Sequence, residues 1–146
     1  MTAIANILLR EARPDDRAHL LLWDIPHEAE LRHIAFYNNA HRVNYRENLL
    51  KRINPGEPFL TLQHYWDREL EAIKSICSGV SKQVILLEGL DCFTTYLRVH
   101  SEGHVTLFWN NLEKTRKLEK ILWILLPHKL APKTWPEERL KRISSV

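Results

Sequence analysis

The amino-acid sequence predicts one α/β domain: a short parallel sheet covered by helices, in three layers. Two kinds of segment carry that expectation. Val84-Ile85-Leu86-Leu87 and the run from Ile121 to Leu126 are short and apolar throughout, as strands covered on both faces are. Between them lie longer segments whose apolar residues recur at helical spacing. Such strands alternating with helices mean a parallel sheet with crossover connections. Size agrees: 146 residues, 45% hydrophobic and 27% charged, make a single domain of ordinary globular composition. A chain of this length buries roughly two-thirds of its unfolded surface, so folding needs neither disulfide nor metal.

Taken in order, a short apolar piece (residues 4–9) precedes a turn at Arg13-Pro14-Asp15-Asp16. His19-Leu20-Leu21-Leu22-Trp23 is the first strand. Asp24 then stands where it would cap a helix with Pro26 in its first turn. That helix is expected over residues 27–53, with Leu31, Ile34, Ala35, Asn38, Val43, Leu49, Leu50 and Ile53 as an imperfect stripe broken near Asn44. Asn54-Pro55-Gly56-Glu57-Pro58 stops it. Residues 59–62 are a small strand or a helix entry. Trp66, Leu70, Ile73 and Cys77 mark residues 63–78 as an amphipathic helix, ended by Gly79. Residues 83–87 are the second strand, with Gly89 at its exit. Residues 90–99 and 104–120 read as helices separated by the turn Ser101-Glu102-Gly103. The third strand, residues 122–126, ends at Pro127. Residues 128–146 form a basic tail with a short helix over 137–143.

Several function classes are excluded early. The apolar runs fall far short of the roughly 18 residues of a membrane span. Arg10, Glu11 and Arg13 interrupt the apolar start and no small-residue cleavage site follows, so a cytoplasmic location is expected. Cys77 and Cys92 sit in apolar surroundings without CxxC spacing and read as two reduced, buried thiols. The eight histidines show no zinc spacing; His100 and His104 are four apart, but Ser101 and Gly103 argue against a continuous helix. There is no GxSxG elbow for acyl transfer.

Charge is uneven. Residues 113–146 hold nine basic residues against four acids, whereas residues 1–112 are net negative. A basic C-terminal third suits nucleic acid or an acidic partner, or simply a solvated surface. Within it, Arg116, Lys133, Trp135, Arg139, Lys141 and Arg142 are the candidate contacts. Trp135, between Thr134 and Pro136, is the tryptophan placed for exposure, where it would stack on a base or anchor an interface; packing of the tail on its own domain is the other role open to it. On the expected helix 27–53, Arg42 and Arg46 lie among asparagines and histidines, a combination suited to phosphate and base-edge contacts.

Ligands of a parallel sheet bind outside the carboxyl ends of its strands. After the first strand stands Asp24; after the second, Glu88, Gly89 and Asp91; after the third, Pro127 and His128. Were Asp24, Glu88 and Asp91 to converge, they would hold Mg2+ for phosphoryl chemistry. The plainer role is helix capping by Asp24 and Asp91.

The stretch Val84-Ile85-Leu86-Leu87-Glu88-Gly89-Leu90-Asp91 resembles the Walker B strand of P-loop ATPases: four apolar residues and an acid. The strand 122–126 then looks like the next strand of that core. Over residues 19–127 the layout is similar to small P-loop proteins of BREX-type anti-phage systems, which implies a P-loop/Rossmann-like fold. The departure lies after the first strand. A phosphate loop needs glycine-rich backbone, then Lys and Ser/Thr. Here the chain reads Asp24-Ile25-Pro26-His27-Glu28-Ala29-Glu30, with no glycine, no lysine and three acids. The third strand ends in Leu126-Pro127 with no polar sensor. The resemblance therefore implies a degenerate core that binds no nucleotide, with Glu88 a relic.

The expectation is a non-enzymatic adaptor or subunit of a bacterial multiprotein complex, of defence or nucleic-acid processing, without cofactor, binding a protein partner, nucleic acid or both. The alternative is a metal-dependent nuclease or phosphotransferase using Asp24, Glu88 and Asp91 with Mg2+. A small-molecule sensor with a pocket at the strand ends is the third.

Overall fold

Five parallel strands form the centre of the computed structural model, which describes residues 7–52 and 66–143. They are β1 (Ala18–Leu22), β2 (Ala40–Asn44), β3 (Val84–Glu88), β4 (Ile121–Leu126) and β5 (Leu140–Arg142), in the order β2-β3-β4-β1-β5. Leu20 pairs with Ile124 and with Leu140, Leu86 with Trp123, and Val43 with Leu87. The three central strands, β3, β4 and β1, are the apolar runs, and they are buried on both faces.

Alternation along the strands sorts their side chains into two cores. Leu20, Leu22, Ile85, Leu87, Leu122, Ile124 and Leu126 face α2 (Tyr45–Arg52), α3 (Trp66–Gly79), α4 (Leu90–His100) and α5 (Glu102–Lys114). Leu21, Trp23, Val84, Leu86, Ile121 and Trp123 face α1 (Glu28–Tyr37) and the segment Ile7–Ala12. The result is a three-layer α/β domain, as the sequence predicts. Asn38 clips the thinner layer together. It caps α1, accepts the Leu9 N–H at 2.8 Å and donates to the carbonyls of Ile7 and Ile34.

The connections define where a site belongs. The β1–β2 connection passes β4 and β3 in one direction with α1 on one face; every later connection runs the opposite way with α2–α5 and the tail on the other face. Reversing both direction and face preserves the hand, so all crossovers share one hand. Only at β1 and β4 do adjacent strands send their chains to opposite faces. Their carboxyl ends therefore border the crevice at the topological switch point.

Four expectations are corrected. Residues 27–53 are not one helix: α1 ends at Asn38, Asn39 takes the left-handed conformation (φ 50°), and β2 intervenes before α2. The tail is not helical over 137–143: a single 3-10 turn, Glu137–Arg139, leads into β5, which pairs with β1. The helix expected to run to residue 120 ends at Lys114, and Lys117 has φ 62°. Cys77 is buried, its thiol pushed up to about 11 by desolvation, but Cys92 is exposed. The stop at residues 54–58 and the piece at 59–62 lie outside the described residues.

Candidate functional site

At the switch point the chain closes the crevice on itself. The Trp23 N–H continues the β1–β4 pairing by donating to the Leu126 carbonyl at 2.8 Å, which sets the next residue, Asp24, beside the end of β4. Asp24 Oδ1 accepts the backbone N–H of His128 at 2.8 Å and its ring Nδ1–H at 3.0 Å. These bonds, the backbone one foremost, hold the Asp24 carboxyl below its ordinary value. His128 Nε2 is buried and has no partner among the described residues. Asp24 thus ties two strand ends together and does not cap α1, as the sequence suggests it would.

The cap of α1 is His27. Its side chain accepts from the N3 backbone N–H, and its own N–H donates to the Glu30 carboxylate at 3.4 Å. Glu28 and Glu30 occupy the first turn. The amino end of a helix following a strand is the natural seat for a phosphate, because its N–H groups are unpaired and its dipole is positive there. Here the helix's own carboxylates take that seat.

Next along the rim, Arg42 of β2 lies between two acids. Its Nε and Nη2 donate to Glu88 at 2.6 and 2.8 Å, and its Nη1 and Nη2 donate to Glu28 at 2.6 and 3.1 Å. Bonding to Glu88, then to Glu28, raises the Arg42 guanidinium, and Arg42 in turn lowers Glu28. Glu88 is therefore an ion-pair partner across the β2–β3 step, and Arg42 is engaged within the fold. Asp91 lies in the first turn of α4, behind Gly89. Asp24, Glu88 and Asp91 thus have separate surroundings, with β4 between the strands that carry Asp24 and Glu88. Among the described residues no group of three or more His, Cys, Asp or Glu side chains is placed to hold a metal.

In the tail, Trp135 is buried and not exposed. Its ring meets Trp109 edge-on at 5.8 Å and its Nε1–H donates to the Arg139 carbonyl at 3.2 Å. Arg139 is also buried, at 1% exposure, and donates to the carbonyls of Ala18 and Glu113 and to the Glu113 carboxylate. Arg142 makes an exposed two-pronged pair with Glu137. Arg46, Arg116 and Lys133 are exposed and Lys141 half-buried, each without an ion-pair partner among the described residues.

Sequence reasoning missed a second buried pair. Glu69 of α3 accepts from the Tyr45 hydroxyl and from both guanidinium arms of Arg52, joining α2 to α3. Glu69 is 3% exposed, on a helix whose expected buried face counted only apolar residues. Its signal was its place one residue before Leu70 on that stripe. Every oxygen is matched by a donor, so the group serves packing.

No protein-family model matches the chain, and neither a curated protein nor a solved structure matches it significantly.

Proposed function

We propose that this chain is a P-loop-like core that has exchanged nucleotide binding for a scaffold role. It acts in the cytoplasm as a non-enzymatic subunit of a bacterial multiprotein system, of the anti-phage or nucleic-acid-processing kind. The carrying observation is the end of β1: where a phosphate loop would cradle an anion, Glu28 and Glu30 sit on the helix amino end and Asp24 is held by His128. Negative charge in that seat repels a triphosphate. The adjacency of β3, β4 and β1, the three strands on which the P-loop resemblance rests, supports the ancestry. The unpaired cations Arg46, Arg116, Lys133 and Lys141 supply the surface through which it would meet an acidic partner or nucleic acid.

Calorimetry with Mg-ATP, combined with affinity purification of the tagged chain from its native host with and without nuclease, tests this. The reading expects no ATP bound at the end of β1 and a stoichiometric partner. A partner that survives nuclease makes the chain a protein adaptor; one lost with nuclease makes nucleic acid the bridge. Binding of ATP at the end of β1, or Mg-dependent cleavage of DNA or RNA abolished by Glu88→Gln, overturns it.

A further inference from the structure

A cleft of about 430 Å3 opens where the segment following β4 crosses α5. It lies beyond the carboxyl end of β4, on the face opposite α1. Trp109 and Pro132 line it, with Arg98, Lys129 and Lys133 around it and Glu102 as the one acid. Two features set it apart from a solvated groove. First, Arg98 of α4 and Lys129 and Lys133 of the segment after β4 converge from two distant parts of the chain, and none has an ion-pair partner among the described residues. Lys129 also acts at longer range on the Asp24 carboxylate. Second, the Trp109 indole N–H is buried, in a residue 4% exposed, and has no acceptor among the described residues. Edge-on contacts with Phe108 at 5.4 Å and Trp135 at 5.8 Å hold the ring in place. A buried N–H left unpaired is unfavourable, and native proteins seldom leave one so.

We propose that this cleft binds a phosphate group, with Trp109 Nε1–H donating to one oxygen and Lys129, Lys133 and Arg98 balancing its charge. Three cations against one carboxylate suit a dianion, and the indole supplies a neutral donor that only an acceptor can satisfy. The phosphate belongs either to a free phosphorylated small molecule or to a nucleic-acid strand. This site is separate from the end of β1, and the two readings fail independently: heat of ATP binding that is lost in the Lys129→Ala/Lys133→Ala variant belongs to this cleft, and heat that persists in it belongs to the end of β1.

The full chain is titrated with inorganic phosphate, with AMP, and with labelled 12-nucleotide single strands bearing a 5′-phosphate or a 5′-hydroxyl. Phosphate is then used as the competitor against whichever probe binds. The Lys129→Ala/Lys133→Ala double variant is expected to weaken binding about tenfold or more. Trp109→Phe, which keeps an aromatic ring and removes the N–H, is expected to weaken it several-fold with the circular dichroism spectrum unchanged; Lys82→Ala, exposed ahead of β3 and outside the cleft, leaves it as it was. If Trp109→Phe does not fold, the exposed lysine pair decides. A preference for the 5′-phosphorylated strand assigns a strand end, equal binding of both strands assigns the backbone, and binding of phosphate or AMP alone assigns a small molecule; each upholds the site. Absence of binding by every phosphate species up to roughly 10 mM, or cleft variants that bind as tightly as the wild type, overturns it.

Discussion

Arg139 illustrates how a basic residue can serve the interior. The guanidinium fork reaches three acceptors at the start of β1 and the end of α5, and it lies 5.1 Å over the Trp135 ring. Two of those acceptors belong to Glu113, in the last turn of α5, where a cation also offsets the helix dipole. Arg17 donates to the same Glu113 carbonyl at 2.7 Å. Burial, with Arg17 adding to it, lowers the Arg139 guanidinium, yet arginine stays protonated. Breaking a buried pair costs about 3–5 kcal/mol, and here about 2–3, because Glu113 retains water contact. Arg139→Ala is therefore expected to lower the urea midpoint by that equivalent, and Arg139→Lys to recover only part, since an ammonium lacks the fork. An Arg139→Ala midpoint equal to wild type would mean the cluster contributes nothing. His19 adds a pH signature. It is 1% exposed, donates from Nε2 to the Pro14 carbonyl at 2.7 Å, meets the Trp123 ring at a tilt of 33°, and leaves Nδ1 without a partner among the described residues. Burial, more than the repulsion from Arg139, lowers it from 6.5, against the Pro14 bond. The folded state then binds fewer protons than the unfolded one just below pH 6.5, so stability is complete above that value and falls as pH drops through it. Melting temperatures between pH 7.5 and 5 should fall more steeply for wild type than for His19→Phe; parallel slopes would remove His19 from the account.

At the scale of elements, periodicity read burial well and pairing poorly. Leu31, Ile34 and Ala35 do form the buried stripe of α1, but Val43 and Leu49 continue it by coincidence from β2 and α2. β2 is an edge strand carrying exposed His41 and half-buried Arg42, so it shows no apolar run. The signals present were of another kind. Asn39 follows the cap residue Asn38 and tolerates the left-handed conformation that ends α1. Asn44 accepts the Glu47 N–H at 3.0 Å, the start of a capping pattern. That same Asn44 constrains the next turn of the rim. Gly89 has φ 86°, and a Cβ there would stand 3.3 Å from Asn44 Oδ1 and 3.4 Å from the Arg46 nitrogen. Gly89→Ala is expected to cost about 1–2 kcal/mol from the left-handed conformation alone, and more from the crowding. Hydrogen exchange should quicken at the amino end of α2. A loss confined to global stability, with α2 exchange unchanged, would uncouple the two turns.

Over the whole molecule, what was legible is what burial writes into composition. β1, β3 and β4 are covered on both faces, so their runs are apolar and their class is plain. Strand order is not written locally; it follows from crossovers between distant segments, and with it the meeting of Asp24 with His128, 104 residues apart. Three acids at two strand exits invited a metal, but pairing with Arg42 and His128 is a property of neighbours in space. The C-terminal third misled in a different way, because its charge count suggested a solvated appendage. In the fold it straps the sheet: β5 covers the outer edge of β1, the Ile143 N–H donates to the Leu22 carbonyl at 2.8 Å, and Trp135 fills the core beside α5. Ending the chain after Pro136 removes β5 and Arg139 together, leaving the β1 edge unpaired and the Glu113 acceptors without their cation. An exposed edge on an apolar strand is a template for association. That truncation is expected to elute as oligomers or aggregate and to unfold in urea over a broader, earlier transition than the full chain. A truncated monomer with an unchanged midpoint and slope would show that the last strand is an appendage after all, and the basic surface could then be moved without the sheet.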